Sequence, residues 1–355
     1  MKILLCERNL TGHRKLYMEW LTKVPEIEFY ILAPENIGMD CTHFIQYKAS
    51  DNLKTLKEYL KWINQIKDVV KKEKIDAVHI LDGDSIMRFF GLGLHHLGAR
   101  KIVITYHHFF PGLTRRMSYC LMNRSRKTVC VAHTASVQRE LQMLGIKNVA
   151  RCEYPAFYFD SISQRVSSEC KAAFGLPEDV PTIGIIGGMN SYKNIIPFLE
   201  AMADCKQNFH LLICGKESSV TEKQIKEAIL PYKDKVKLVI RQLSENEYEQ
   251  AIAASDIVYC VYGHEFDGAS GPLTDGVCAQ KMILSCKHGS LGEIVSENLL
   301  GLTAECNDRA EVIMQTELAL CRSKIFRYGE AANRYRMQIQ PEYFILAYKR
   351  VYSKR

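Results

Sequence analysis

The sequence predicts an α/β fold made of two doubly wound, Rossmann-like domains, each with a parallel sheet. Short apolar runs of strand length recur along the chain and alternate with segments of helical periodicity. Several of the runs are apolar almost throughout, which is typical of strands covered on both faces. The chain has 355 residues, and at about 150 residues per domain this length corresponds to roughly two domains.

Ten strands and five helices follow from these patterns. The predicted strands cover residues 1–6, 28–32, 76–81, 101–106, 128–132, 182–187, 210–214, 235–240, 256–262 and 281–286. The predicted helices cover residues 54–72, 134–144, 194–205, 245–254 and 309–322. A strand that alternates with a helix implies right-handed crossovers between parallel neighbours.

The domain boundary is expected where the alternation pauses. Residues 1–155 form the predicted N-terminal domain, and residues 182–337 form the predicted C-terminal domain. The polar stretch 156–181 is typical of a linker. An aromatic and basic helix at about 338–355 is expected to pack back on the first domain. Two such domains would face a cleft lined by the carboxyl ends of both sheets, where ligands bind in these folds.

Charge and cysteine content narrow the class further. The first 150 residues carry 23 basic and 14 acidic side chains, whereas the remaining 205 carry 24 and 26, so the front half should attract anions. The thirteen cysteines include no CxxC pair, which predicts a reduced, cytoplasmic chain without a metal site. No apolar stretch of about 20 residues predicts a membrane span.

The most informative segment begins at Asp267, and a second acid, Asp275, follows eight residues later. The small residues Ser270 and Gly271 lie between them, which lets backbone N–H groups approach an anion. A helix starting there would offer unpaired N–H donors and a partial positive charge to a diphosphate. The alternative is a glycine-rich turn flanked by two solvated acids.

This segment, DGASGPLTDGVCAQKMILS, resembles the E-x7-E signature of retaining GT-B glycosyltransferases of the family 4 group (group 1), usually close to EGFGLPxLEAMACGxPVVxS. The following GSLGEIV is similar to the GGLPEIV of that family, with Glu293 at the acid. Both signature acids are Asp here, one methylene shorter than Glu, and Gly276 replaces the usual Ala.

A second segment, TIGIIGGMNSYKNIIPFLEAM, resembles the loop that opens the donor domain in this family. Lys193 matches the Lys of that loop, and an ammonium beside a diphosphate suits a leaving group that gains charge. Gly188 occupies the position of the usual Arg, and Arg241 at the end of a predicted strand is a candidate replacement. An exposed surface lysine is the alternative for Lys193.

Two further matches lie in the front half. Gly12 and His13 resemble the glycine-rich turn that faces the donor, although His13 can instead cap a helix. The segment VITYHHFFP resembles the acceptor-side T-x-H segment, in which His107 or His108 would orient an acceptor hydroxyl. His133 stands at the usual Ser of another matching segment, VCVAHTASVQRELQMLG.

The resemblance implies a division of roles, in which residues 1–155 are the acceptor-side domain and residues 182–337 are the nucleotide-sugar-binding domain. The catalytic group consists of His107, Lys193 and Asp267. The donor-binding group consists of Gly12, His13, Gly187, Gly188, Lys193, Arg241, Ser270, Gly271, Asp275 and Glu293. Within the latter group Asp275 would bind the ribose, and Asp267 would contact hydroxyls of the donor sugar.

A basic segment follows the acceptor-side histidines and alternates with apolar residues. It is typical of a cationic amphipathic surface for an anionic membrane or a lipid-diphosphate-linked acceptor, and the alternative is a solvated helix face. The acceptor or membrane patch consists of His108, Arg115, Arg116, Arg124, Arg126 and Lys127. No nucleic-acid-binding motif accompanies these bases.

These features predict a retaining, metal-independent glycosyltransferase that moves a sugar from a nucleotide-sugar, UDP- or GDP-linked, to a glycan or lipid-linked glycan. The context would be polysaccharide or glycoconjugate biosynthesis at the inner face of the membrane, with no cofactor. The alternatives are a non-catalytic GT-B subunit that binds a sugar nucleotide or a partner, and a GT-B epimerase or phosphorylase.

Overall fold

The computed structural model describes residues 1–8, 10, 13–35, 43–47 and 53–354, except for the side chain of His13. The chain divides into two compact units. The first unit comprises Met1–Phe157 and Pro341–Arg355, and the second comprises Tyr158–Gln340. Every cysteine within these described ranges is free.

Seven strands and five α-helices make up the described part of the first unit. Its strands are β1 (Lys2–Cys6), β2 (Glu28–Ala33), β3 (Phe44–Gln46), β4 (Ala77–Ile80), β5 (Lys101–Tyr106), β6 (Thr128–Ala132) and β7 (Val149–Arg151). Its helices are α1 (His13–Thr22), α2 (Leu56–Glu73), α3 (Leu113–Met122), α4 (Ala135–Met143) and α14 (Pro341–Ser353).

The sheet of the first unit is parallel throughout, with the order β3-β2-β1-β4-β5-β6-β7. From β1 the chain adds β2 and β3 toward one edge of the sheet. It then returns to the other side of β1, where β4 to β7 follow in order toward the opposite edge. The point between β1 and β4 is therefore the topological switch point, beyond whose carboxyl ends ligands bind in doubly wound sheets.

Helix α2 shows how the sequence specifies a covering helix. Thr55 and Glu58 form a reciprocal capping box at its start, which satisfies two backbone N–H groups that would otherwise lack partners. Its apolar face buries Trp62 and Ile66 against the sheet core. Burial of each such side chain contributes about 1.5–3 kcal/mol.

Helix α14 lies in the first unit, although the whole second unit precedes it in the chain. Its Tyr352 hydroxyl is 2.7 Å from Nδ1 of the buried His79 in β4, and Thr105 in β5 bonds to the other ring nitrogen at 2.8 Å. Burial lowers the pKa of His79 to about 3. Because the imidazole is neutral and its two nitrogens are bonded, it joins α14 to two central strands without a charge penalty.

The second unit has six strands and nine α-helices in its sequence, all of whose residues are described. Its strands are β8 (Thr182–Ile186), β9 (His210–Cys214), β10 (Val236–Val239), β11 (Ile257–Cys260), β12 (Met282–Cys286) and β13 (Gly301–Ala304). Its helices are α5 (Phe159–Ser163), α6 (Ser167–Ala173), α7 (Ile195–Met202), α8 (Glu222–Ala228), α9 (Glu245–Ala254), α10 (Gly271–Cys278), α11 (Gly289–Glu297), α12 (Arg309–Arg322) and α13 (Glu330–Gln338).

The sheet of the second unit is also parallel, with the order β10-β9-β8-β11-β12-β13. Its switch point lies between β8 and β11. The predicted fold class, an α/β chain with two doubly wound Rossmann-like sheets, is therefore what the structure has.

The stretch expected to be a linker, 156–181, is mostly part of the second unit. It contains α5 and α6, whose Ile162 and Cys170 are buried. Arg165 between these helices forms an ion pair with Glu249 of α9 at 2.6 Å. The polar sequence of this stretch reflects short helices that pack on α9 and α10.

Candidate functional site

A glycine turn follows β8 at the switch point of the second unit. Gly187 has a φ of +94°, and its N–H donates to the carbonyl of Cys214 at 2.9 Å. A Cβ on Gly215 would lie 2.0 Å from the carbonyl oxygen of Gly187. The two backbones therefore approach too closely for any side chain at Gly215. As a result, backbone atoms and no side chain line this part of the turn.

Lys193 is buried beside this turn rather than being a surface lysine. Its Nζ donates to the carbonyl of Ile186 at 2.8 Å and lies 5.8 Å from the centre of the Tyr262 ring. Burial lowers the pKa of Lys193 to about 8. Among the described residues the ammonium makes one hydrogen bond although it carries three donors, so it is suited to an incoming anion.

The N-terminus of α10 lies next to the same turn. A Cβ on Gly187 would be 3.9 Å from Cγ of Pro272 in the first turn of the helix. The hydroxyl of the N-cap residue Ser270 bonds to Tyr262 at 3.2 Å and makes no cap hydrogen bond to the helix backbone. The backbone donors at Gly271 and beyond thus lack a side-chain cap, an arrangement that favours anion binding.

Asp267, the first signature acid, is bound to the start of α11. Its Oδ1 accepts a hydrogen bond from the backbone N–H of Ser290 at 2.8 Å and another from the Ser290 hydroxyl. Gly289 beside it has a φ of +61°. The carboxylate thus serves as a cap for a helix whose own N-cap residue, His288, supplies none.

Asp275, the second signature acid, is only 1% exposed. The hydroxyl of Tyr248 in α9 donates to its Oδ2 at 2.7 Å. Burial raises the pKa of Asp275 to about 7. The hydrogen bond from Tyr248 lowers this pKa but offsets only part of the effect of burial. Neither acid is a solvated turn residue, since each carboxylate has protein donors.

Three other residues of the predicted donor-binding group lie at known positions in the second unit. The Arg241 guanidinium forms an ion pair with Glu247, to which its Nη1 donates at 2.9 Å. Gly188 follows the glycine turn and has ordinary backbone angles, and Glu293 lies in the second turn of α11. The structure therefore groups Gly187, Lys193 and the α10 N-terminus, and it pairs Arg241 with α9.

The acceptor-side histidines lie beyond β5 in the first unit. The backbone N–H groups of His107 and His108 both donate to Oδ2 of Asp84, at 2.9 and 3.1 Å. His107 Nε2 donates to the carbonyl of Leu81 at 2.9 Å, which leaves the lone pair on Nδ1. Burial lowers the pKa of His107 and raises that of Asp84 well above its usual range.

A charged cluster at the switch point of this unit was not predicted from the sequence. Arg14 Nη1 lies 2.8 Å from Oδ2 of Asp82 and 3.1 Å from Oε1 of Glu7. Both carboxylates are nearly buried, and Arg8 lies 3.9 Å from Asp82. The sequence nevertheless contains a signal for this cluster, because Glu7 and Asp82 come within two residues of the carboxyl ends of β1 and β4.

The basic segment forms α3 and the loop after it. Its five bases are exposed, and so are Leu113, Met117 and Leu121, while Tyr119 and Met122 face the core. We call the exposed bases the α3 basic patch: Arg115, Arg116, Arg124, Arg126 and Lys127. Gly12 and the side chain of His13 lie outside the described residues, and none of the described helices is long and apolar enough to cross a bilayer.

Each unit therefore brings charged groups to the carboxyl ends of its central strands, where ligands bind in doubly wound sheets. Residues 167–324 match the family described as glycosyl transferases group 1. The predicted resemblance to group 1 glycosyltransferases is therefore confirmed for this stretch of the chain. A comparison with curated protein sequences gives no match.

Solved structures show that the fold is that of GT-B glycosyltransferases. A glycosyltransferase from Rickettsia africae is 18% identical with a TM-score of 0.78, and 99% of this chain covers 98% of that one. Sucrose-phosphate synthase from Thermosynechococcus elongatus is 14% identical with a TM-score of 0.79, at 99% and 98% coverage. HepE of Anabaena, solved with UDP and glucose, is 11% identical with a TM-score of 0.77 over the full length of both chains.

Proposed function

We propose that the protein is a retaining glycosyltransferase that transfers a sugar from a nucleotide-sugar to a glycan or lipid-linked glycan. The observation that carries this proposal is the buried Lys193 ammonium beside the Gly187 turn and the α10 N-terminus. These groups lie in the stretch that matches the glycosyltransferase family. A diphosphate is the ligand that such an array favours.

The chemistry proposed for this site is stabilisation of a leaving group. As the bond from the anomeric carbon to the diphosphate oxygen breaks, negative charge grows on that oxygen, and Lys193 with the backbone donors at Gly271 opposes it. The departing phosphate oxygen would accept the proton of the acceptor hydroxyl on the same face, which retains the anomeric configuration. Such a step needs no cofactor and no protein carboxylate as base.

The acceptor is proposed to be lipid-linked and to bind at the first unit. A groove of about 610 Å³ runs beside α3 and is lined by Leu92 and Leu121, with Arg88 and Arg124 among its polar residues. Together with the α3 basic patch it pairs apolar surface with positive charge. That combination favours a lipid diphosphate or the anionic inner leaflet of a membrane.

The test is a thermal-shift screen against UDP-, GDP-, ADP- and dTDP-sugars, followed by a transfer assay with the donor that binds. UDP is the first choice because HepE, which shares the fold, was solved with UDP. A ligand at one hundred times its dissociation constant stabilises the folded state by about 2.7 kcal/mol. No shift with any nucleotide would contradict the proposal.

A non-catalytic role in binding a sugar nucleotide is the second candidate. Gly188 stands where the family has Arg, and the candidate replacement Arg241 is occupied by Glu247. The carboxylate of Asp275 already accepts a hydrogen bond from Tyr248. Nucleotide binding without turnover of any donor would favour this candidate over the enzyme.

A further inference from the structure

Four potential metal ligands meet beyond three neighbouring strands of the second unit. His264 follows β11, His288 follows β12, and Glu305 and Cys306 follow β13 directly. These strands are adjacent and parallel in the sheet, so their carboxyl ends meet at one edge. The topology therefore gathers side chains that the sequence separates by up to 42 positions.

The donor atoms of the four side chains all lie within 4.8 Å of one another. His264 Nε2 is 2.8 Å from Oε1 of Glu305, and Cys306 Sγ is 3.5 Å from the same oxygen. The two imidazole rings stack with their centres 3.9 Å apart. Two imidazoles, a carboxylate and a thiol form a donor set typical of protein zinc sites.

The protonation of His288 points to a ligand independently of this clustering. Its Nε2 lies 3.1 Å from the carbonyl oxygen of Gly263, and only an N–H can donate to a carbonyl. The proton is therefore on Nε2, and the lone pair is on Nδ1. Nδ1 is buried and has no hydrogen-bond partner among the described residues. A ring nitrogen fixed in this way by a bond to a backbone carbonyl is the usual state of a metal-ligating histidine.

We propose that His264, His288, Glu305 and Cys306 bind one Zn²⁺ ion. Zinc bonds of about 2.0–2.3 Å in a tetrahedron separate the ligand atoms by about 3.3–3.8 Å. The His264–Glu305 contact would widen and the longest separations would shorten, both through side-chain rotation. Binding releases the thiol proton of Cys306 to solvent, and the Nε2 proton of His264 moves to Nδ1. The expectation of no metal site rested on ligand spacing along the sequence, including the absence of a CxxC pair. Such spacing does not detect a site whose ligands come from three separate loops.

Such an ion would fix the loops around the first signature acid. Asp267 lies three residues after His264, and its partner Ser290 lies two residues after His288. Four protein ligands leave no open position, so the ion would be structural rather than a catalyst. The proposal does not depend on glycosyl transfer, since it concerns only this loop cluster.

The experiment is a Co²⁺ titration of the full-length, reduced protein after treatment with a chelator, followed by displacement with Zn²⁺. Tetrahedral cobalt bound to a thiolate gives visible d–d absorption and a near-ultraviolet charge-transfer band. We expect one equivalent to produce both in the native protein and in the control Cys321→Ser, whose cysteine is exposed. Cys306→Ser should lose the charge-transfer band.

His264→Gln provides the test that does not depend on a buried position, because half of that side chain is exposed. Its Zn²⁺ affinity, measured by competition with a chromophoric chelator, should fall at least tenfold, whereas His210→Gln should keep the native affinity. Absence of the charge-transfer band in the native protein would overturn the proposal. So would its persistence in Cys306→Ser, or an unchanged affinity in His264→Gln.

Discussion

Replacement of Lys193 by Met tests the central element of the proposed donor site. The side chain is 6% exposed, and its ammonium donates to the Ile186 carbonyl. Met keeps the length and apolar stem but removes the charge. The variant should fold normally, because a buried ammonium costs desolvation that a thioether does not.

The effect on turnover follows from the position of the charge. An ammonium about 4 Å from a phosphate oxygen interacts by roughly 4 kcal/mol at an effective dielectric constant of about 20. Part of that is offset by desolvation, and a loss of at least about 1.4 kcal/mol in transition-state stabilisation corresponds to a tenfold lower rate. We therefore expect a fall in kcat/KM of at least tenfold, with an unchanged or higher Tm.

The assay is the initial rate of sugar transfer with the donor found by thermal shift, alongside the exposed control Lys223→Met. Because the pKa of Lys193 is lowered to about 8, nucleotide affinity in the native protein should also fall as the pH rises above 8, and this slope should vanish in Lys193→Met. An unchanged rate in that variant would remove the lysine from the site.

Three further predictions concern other elements. Asp267→Ala should lower the free energy of unfolding by about 1 kcal/mol through loss of the α11 cap, whereas Asp267→Asn keeps an acceptor and should cost less; urea denaturation measures both. The pKa of His79 is lowered to about 3, so the unfolded chain binds a proton first, and this group alone should lower the stability by about 1.4 kcal/mol per pH unit below about 6.5. His79→Gln should reduce the slope by that amount relative to the native protein in urea titrations at pH 7, 6 and 5. Binding to anionic vesicles should weaken when the α3 basic patch is neutralised and when salt is added; salt-independent binding in a sedimentation assay would contradict the membrane proposal.

Strands that are apolar throughout were predictable from the sequence, because burial on both faces leaves a continuous signal. β5, β6 and β9 have the predicted bounds, and β1 differs by one residue. The edge strands β3, β7 and β13 were missed because each has only three or four residues and is mostly only partly buried. Too few alternating positions exist in such segments for a periodic pattern to appear.

Site residues were predictable only where a motif marks the backbone. The glycines at 187 and 188 and the register of Lys193 located the turn after β8. Composition alone did not reveal the Glu7–Arg14–Asp82 cluster, since its members are far apart in sequence and meet only through the strand order. Nor did the motif foretell that Tyr248, on a different helix, binds Asp275.

The place of α14 in the first unit has a consequence for biosynthesis. The ribosome makes Met1–Phe157 first, yet the helix that bonds to His79 through Tyr352 emerges only after the whole second unit. Part of the sheet in Met1–Phe157 therefore stays uncovered until α14 has been made, whereas Tyr158–Gln340 can finish folding before that. Nascent chains halted just before Pro341 should accordingly be more sensitive to protease in the earlier segment than in the later one.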